Sequence, residues 1–316
     1  MLSRTADSLY WMARYMERAG NLARILEVAD RMALSPTPES VAAPSNSEWR
    51  SALIISGTER AYSQKYSDVT PAQVLHFLAL DETNPSSIRS CIETARRNGR
   101  SMRTALTREV WENLNDTWLE VRGATPQRLA GSHVRGFLDW ARERSLQFHG
   151  AATGTMLRDD TYAFTRLGTF VERGDNTARI LDVKYHILLP EYAPVGGGRD
   201  YYQWAAILRA VSAHRSYRYI YRDSYKPWLI ADLLILREEM PRSMTACLGQ
   251  IVQHLGTLAE RYGQRHECHR LAGQLYSEMR FAKISEVFQD GLHEFLTDFI
   301  SRNMELSDQI RTDFLM

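Results

Sequence analysis

The chain has 316 residues, 44% hydrophobic and 24% charged, with 39 Lys and Arg against 38 Asp and Glu for a formal net charge of +1. A chain of this length is long for one domain and comfortable for two, and it buries about three-quarters of its unfolded surface. The composition excludes disorder and disulfide-stapled miniproteins, and the near-neutral charge argues against nucleic-acid binding through bulk charge.

In chain order, the first predicted element is a helix. Between Leu9 and Ala29 the apolar residues Leu9, Met12, Met16, Ala19, Ala23 and Leu26 recur at three- and four-residue steps. The polar stretch from Ser35 to Ser47, with Pro36, Pro38 and Pro44, reads as a loop. Ser45 and Glu48 have capping-box spacing and start a helix through Tyr66, and Thr70-Pro71-Ala72-Gln73 starts another. Asn84-Pro85 is expected to open a long helix toward Asn113, followed by helices over 133–148, 241–262 and 287–311. The segment from Pro190 to Arg199 carries Gly196-Gly197-Gly198; it lacks the Lys-Ser/Thr of a phosphate loop and reads as a linker. No run of alternating β-branched residues occurs, so the predicted class is all-α.

Three scattered cysteines fit a reducing, cytoplasmic setting. The opening residues carry charges every few positions, and the longest strongly apolar stretch, 228–236, is nine residues with Asp232 inside it. Neither a signal peptide nor a membrane span is therefore expected.

The sequence also repeats itself. Setting residue 17 against residue 172, an offset of 155, aligns Glu17 to Val28 with Glu172 to Val183, and eight of the twelve positions are identical. Chance would supply roughly one match. The same offset pairs Trp49 with Trp204, Tyr62 with Tyr217 and Tyr66 with Tyr221. An offset of 156 then pairs Pro71 with Pro227, Pro85 with Pro241, Ser87 with Ser243 and Cys91 with Cys247. The expectation is an internally duplicated helical bundle with pseudo-twofold related halves, repeat 1 over 1–155 and repeat 2 over 156–316, packed as one body.

The candidate site lies on the best-repeated segment. On a helix, at about 100° per residue, Glu17, Asn21 and Arg24 share one face with Arg14, opposite the apolar arc. Glu172, Asn176 and Arg179 repeat the face, while Arg18 and Arg173 fall at the edge of the apolar arc. Three readings stand side by side. The faces could be solvated, with surface ion pairs worth about 0.3–0.5 kcal/mol each. They could form a buried network in which each Glu accepts from Arg and Asn and locks the repeats together. Or they could offer Arg forks and Asn amides to a ligand carboxylate or phosphate.

Asp81 and Asn84 form a second candidate for ligand binding; the matching stretch 236–243 keeps neither, so any such site is not doubled. Asn84 is also the natural cap of a helix that Pro85 begins. His266-Glu267-Cys268-His269 invites a metal reading, but with no second cluster nearby no metal site is expected. Cys91 and Cys247 are expected in the core, and Arg96, Arg97, Arg100 and Arg103 on a solvated or ion-paired face. Asp159-Asp160 is placed to sit at the N-terminus of the second Glu-Arg helix.

Several of these stretches resemble a known family. The opening Met1-Leu2-Ser3-Arg4 with Leu9 to Ala19, the segment Leu80 to Ile88, and Thr155 to Asp159 followed by Phe164, Leu167-Gly168 and Glu172-Arg173 are similar to the alpha-E family, all-helical and named for its Glu-Arg motif. The similarity spans essentially the whole chain. The sequence departs from the family pattern at Ala13, where Gly is expected, and at Gly20, where an acidic residue is usual and Asp175 stands in the second copy.

The resemblance implies a cytoplasmic bacterial protein that accompanies a circularly permuted ATP-grasp protein, often with a transglutaminase-like peptidase in the same pathway. ATP and Mg would belong to that partner, with no cofactor on this chain. The implied role is an accessory module of an amide or peptide ligase, holding partner or substrate through the twin Glu-Asn-Arg faces. Two alternatives remain open: a catalyst using Glu17 or Glu172 as base with Arg clamps, and a purely structural scaffold. A Glu flanked by Arg is a poor base near neutral pH, which weighs against the former.

Overall fold

A computed structural model describes residues 3–33, 47–131, 133–188 and 198–314, and within them it contains fifteen α-helices. In the first half these are α1 (Ser3–Ala33), α2 (Ser47–Ile55), α3 (Glu59–Ser63), α4 (Pro71–Ala79), α5 (Ile88–Ser101), α6 (Arg108–Arg122) and α7 (His133–Thr155). The second half has α8 (Asp160–Leu188), α9 (Gly198–Ala210), α10 (His214–Tyr221), α11 (Pro227–Ile235), α12 (Met244–Tyr262), α13 (Glu267–Phe281), α14 (Ile284–Asp290) and α15 (Leu292–Phe314). The proline-rich loop expected at 35–47 and most of the linker at 190–199 lie outside the described residues. Among the described residues no helix is long and apolar enough to cross a membrane.

Local chemistry sets the boundaries. Thr70 Oγ1 accepts from Gln73 N with Pro71 at the first helical position, so α4 begins where its start signal placed it. The helix expected from Asn84-Pro85 starts later, because Ser87 Oγ accepts from Ser90 N and takes the capping role. It also ends at Ser101 rather than running to Asn113. Likewise Ser243, not Pro241, caps α12. The predicted helix through Tyr66 breaks into α2 and α3 at Gly57, whose φ of +68° ends a right-handed helix. Gly291, at φ +103°, divides the predicted 287–311 helix in the same way. Asp159 Oδ1 accepts from Tyr162 N, which puts that carboxylate at the start of α8 as its position suggested.

The long helices α1 and α8 form the centre. α5 and α7 flank α1, α12 and α15 flank α8, α2 reaches across to α8, and α9 reaches across to α1. Contacts between α1 and α8 advance in the same direction along both, from Tyr10 against Gly168 to Arg14 against Glu172 and Glu17 against Arg173. One hydrophobic cluster runs through both halves, including Leu9, Met12, Met16 and Leu26 of α1 and Leu167, Val171, Ile180 and Leu181 of α8. From Glu17 to Ala29 every residue of α1 except Arg18 is buried, so this part of its polar arc faces protein rather than solvent. At the tightest point a Cβ added to Gly168 would sit 2.1 Å from the Tyr10 carbonyl oxygen.

Candidate functional site: an exchanged Glu-Arg network

The Glu-Arg segments of α1 and α8 meet and exchange partners. Arg173 donates through Nε and Nη2 to Oε1 and Oε2 of Glu17, at 3.1 and 3.0 Å. Arg18 does the same to Glu172, at 2.5 and 2.9 Å. These are two-pronged charge-assisted bonds, the strongest hydrogen bonds that side chains form. A second exchange lies about two turns on. Arg24 donates to the Ala210 carbonyl, and Arg179 Nη1 donates to the Ile55 carbonyl at 3.3 Å. Ile55 and Ala210 are themselves 155 positions apart.

The solvated-face expectation therefore fails. Glu17 is 0% exposed, Arg24 2% and Glu172 5%, because each polar face is turned toward the other helix. Within the network, the expectation that Glu accepts from Asn is also not met. Asn21 and Asn176 are both buried, and neither carboxamide nitrogen has a hydrogen-bond partner among the described residues.

The two centres differ in their additional partners. Glu172 also accepts from Arg14 Nε at 2.9 Å, and Arg14 Nη1 donates to Ser307 Oγ on α15 at 2.6 Å. Glu17 instead accepts from Arg242 Nη1 at 3.0 Å and has His149 Nε2 of α7 at 2.6 Å from Oε2. Arg242 Nη1 also reaches Asn21 Oδ1 at 3.4 Å. Asp175 pairs with Arg179 at 2.7 Å, whereas its counterpart Gly20 leaves Arg24 without a carboxylate. A Cβ at Gly20 would lie 2.7 Å from Ser145 of α7.

Burial alone would raise both Glu carboxyls, but the surrounding cations outweigh it. Arg18 and Arg14 hold Glu172 at about 2. Arg173 and Arg242, with a hydrogen bond from His149, hold Glu17 well below the usual carboxylate range. Burial pushes the His149 imidazole down to about 4 despite the pull of Glu17, and His254, packed between Tyr162 and Phe170, is also lowered to about 4. Burial, then Arg242, drives the Arg24 guanidinium well below its ordinary value. The thiols of Cys91 and Cys247, buried beside the two centres, are pushed up to about 12.

These shifts fix the response to acid. His149 and His254 bind protons in the unfolded chain below its ordinary value of 6.5 but in the folded chain only below about 4, so their stability contribution is lost as pH falls from 6.5 to 4. Glu172 then loses its contribution, about 3 kcal/mol, between 4.5 and about 2. Urea unfolding as a function of pH is expected to show stability falling in both windows. A flat profile between pH 6.5 and 4 contradicts the buried neutral imidazoles.

Beside the Glu172 centre lies a cavity of about 210 Å³, walled by Arg18, Asn21, Ser86, Glu172, Asn176 and Arg179. Arg18 and Arg179 keep 27% and 29% of their side-chain surface exposed, against 6% for Glu172. Leu22, Ile25 and Ile55 form an apolar side of the cavity, and the guanidiniums of Arg18 and Arg179 with the carboxylates of Glu172 and Asp175 form its charged side.

Asp81 and Asn84 sit in the turn between α4 and α5. Asp81 pairs with Lys65 Nζ at 2.6 Å and accepts from Thr83 N at 2.9 Å. Asn84 donates to the Phe77 carbonyl at 2.9 Å and accepts from Ser86 N at 3.0 Å. The turn thus fixes Ser86 at the cavity. Asn84→Ala is expected to cost about 1–3 kcal/mol by leaving the buried Phe77 carbonyl unpaired. A denaturant midpoint equal to that of the wild type contradicts this role.

His266 and His269 cap α13 by a bond from His266 N to His269 Nδ1 at 2.9 Å. Among the described residues no three His, Cys, Asp or Glu side chains group closely enough to hold a metal ion. Arg96 and Arg103 flank the ring of Trp111, and Arg96 also bonds Asn115.

Two members of the network escaped the sequence reading, Arg242 and His149. Arg242 carried a usable signal, since the offset of 156 sets it opposite Ser86. His149 carried none, because α7 has no aligned counterpart.

Fold and site together define an all-helical protein whose two central helices exchange buried Glu-Arg pairs. The chain belongs to the alpha-E family, described as a predicted alpha-helical domain with a conserved ER motif, which it matches over residues 1–315. No curated protein and no solved structure matched it.

Proposed function

We propose that this chain is a duplicated helical unit, 1–155 joined to 156–316, that acts as a non-catalytic accessory module of a cytoplasmic ATP-grasp amide or peptide ligase. The partner is a circularly permuted ATP-grasp protein that carries ATP and Mg, and a transglutaminase-like peptidase works in the same pathway. The exchanged network welds the two halves, and the cavity beside Glu172 holds a substrate group. The partner docks elsewhere, since the twin faces are buried against each other.

The observation that carries the non-catalytic half of this reading is the clamping of both carboxylates by paired guanidiniums. A carboxylate held at about 2 has little affinity for a proton near neutral pH, so Glu172 is a poor general base. Duplication is supported by the repeated helix order and by the swapped pairs at matching positions. The ATP-grasp association is supported by the family resemblance alone.

Co-purification of the tagged chain with an ATP-grasp protein encoded beside it tests the proposal. A complex is expected, alone or with ATP and Mg²⁺. Absence of association under both conditions overturns it. A purely structural scaffold is the second reading, favoured by the depth at which the motif is buried.

A further inference from the structure

We propose that the cavity beside Glu172 is an oxyanion site, one per chain, that takes a carboxylate or phosphate group of a small ligand. The inference rests on reading the chain as a binding module and does not depend on the ATP-grasp partner.

Three observations converge on an anion. First, the wall contains two carboxamides, Asn21 and Asn176, whose nitrogens are buried without an acceptor. A buried donor left unpaired is destabilising, and a ligand oxygen would satisfy it. Second, the guanidiniums of Arg18 and Arg179 line the cavity, are oriented by Glu172 and Asp175, which also reach its wall, and keep part of their surface exposed. A guanidinium has five donors in a rigid fork, so one bound edge leaves others to offer. Third, at this centre three guanidiniums (Arg14, Arg18 and Arg179) face two carboxylates (Glu172 and Asp175), leaving one positive charge over. The volume of about 210 Å³ far exceeds the about 10–15 Å³ that one water needs.

The site is single because the halves differ at one matched position. Where Ser86 lines this cavity, its counterpart in the other half is Arg242. That guanidinium spans Glu17 and Asn21, and its backbone is held by Thr177 Oγ1, which donates to the Arg242 carbonyl at 2.8 Å. The place matching Ser86 is thus filled by a side chain in the other half; the cavity of about 530 Å³ that opens there beside Arg166 and Arg173 is not walled by Asn21 or Asn176.

Calorimetric titration of the full chain with inorganic phosphate, and separately with glutarate, tests this and separates the two sources of the oxyanion. Binding of at least one, with one site per chain, is expected. Arg179→Met removes a donor and is expected to weaken it about tenfold. Ser86→Trp fills the cavity without touching the ion pairs and is expected to abolish it at unchanged melting temperature. Arg24→Met, at the closed centre, is expected to leave affinity within about twofold. No binding of either anion at millimolar concentration, two sites per chain, or wild-type affinity in a folded Ser86→Trp protein overturns the proposal.

Discussion

Glu17→Gln is expected to lower the unfolding free energy by about 3–5 kcal/mol, the cost of leaving buried charges without their counter-ion. Glu17 is fully buried and accepts from Arg173 and Arg242, with His149 against it. Glutamine keeps the shape but turns an amide NH₂ toward guanidinium donors. Arg24, nearby and already without a carboxylate, adds to the repulsion once the negative charge is gone. Glu172→Gln is expected to cost less. Its partner Arg18 retains access to the cavity, and Arg14 retains Ser307. Guanidinium unfolding of both variants checks the order. Equal losses contradict the order, and a loss for Glu17→Gln of under about 1 kcal/mol would mean that the ion pairs barely stabilise the fold.

Gly168→Ala is expected to be the most damaging single-methyl substitution in the chain. Its Cβ would sit 2.1 Å from the Tyr10 carbonyl oxygen, a backbone atom about two turns into α1. Relief requires moving one central helix off the other, and Glu172 lies one turn further along the one that moves. Overpacking of this kind costs about 1–3 kcal/mol and sometimes more. Gly256→Ala in α12 is the control, since nothing lies within 4 Å of its added Cβ. Helix propensity alone then predicts stabilisation of about 0.5–1 kcal/mol. If Gly168→Ala also stabilises, the close approach of α1 and α8 is wrong.

Much of the helix inventory was legible from local rules. The three- and four-residue spacing of Leu9, Met12, Met16 and Ala19 marks α1, and Thr70-Pro71 marks α4. Rules failed where two local signals competed. Asn84-Pro85 and Ser87 both read as helix starts, and Ser87 takes the cap because Asn84 is bound into the preceding turn. The site was legible as residues and not as contacts. A helical wheel places Glu17, Asn21 and Arg24 together, but it cannot say that α8 covers them. Nor does spacing within one helix reveal that Arg18 serves Glu172 while Arg173 serves Glu17. That exchange is a property of how the two helices pack, and only matching offsets along the sequence hint at it.

The central claim is that the Glu-Arg motif works between helices rather than within one. A double-mutant cycle on Glu17→Gln and Arg173→Met, read by denaturant unfolding, tests it most directly. A coupling of about 2–3 kcal/mol is expected between these two positions, and under about 0.5 kcal/mol between Glu17 and its sequence neighbour Arg18. A cycle in which Glu17 couples to Arg18 and not to Arg173 would contradict it.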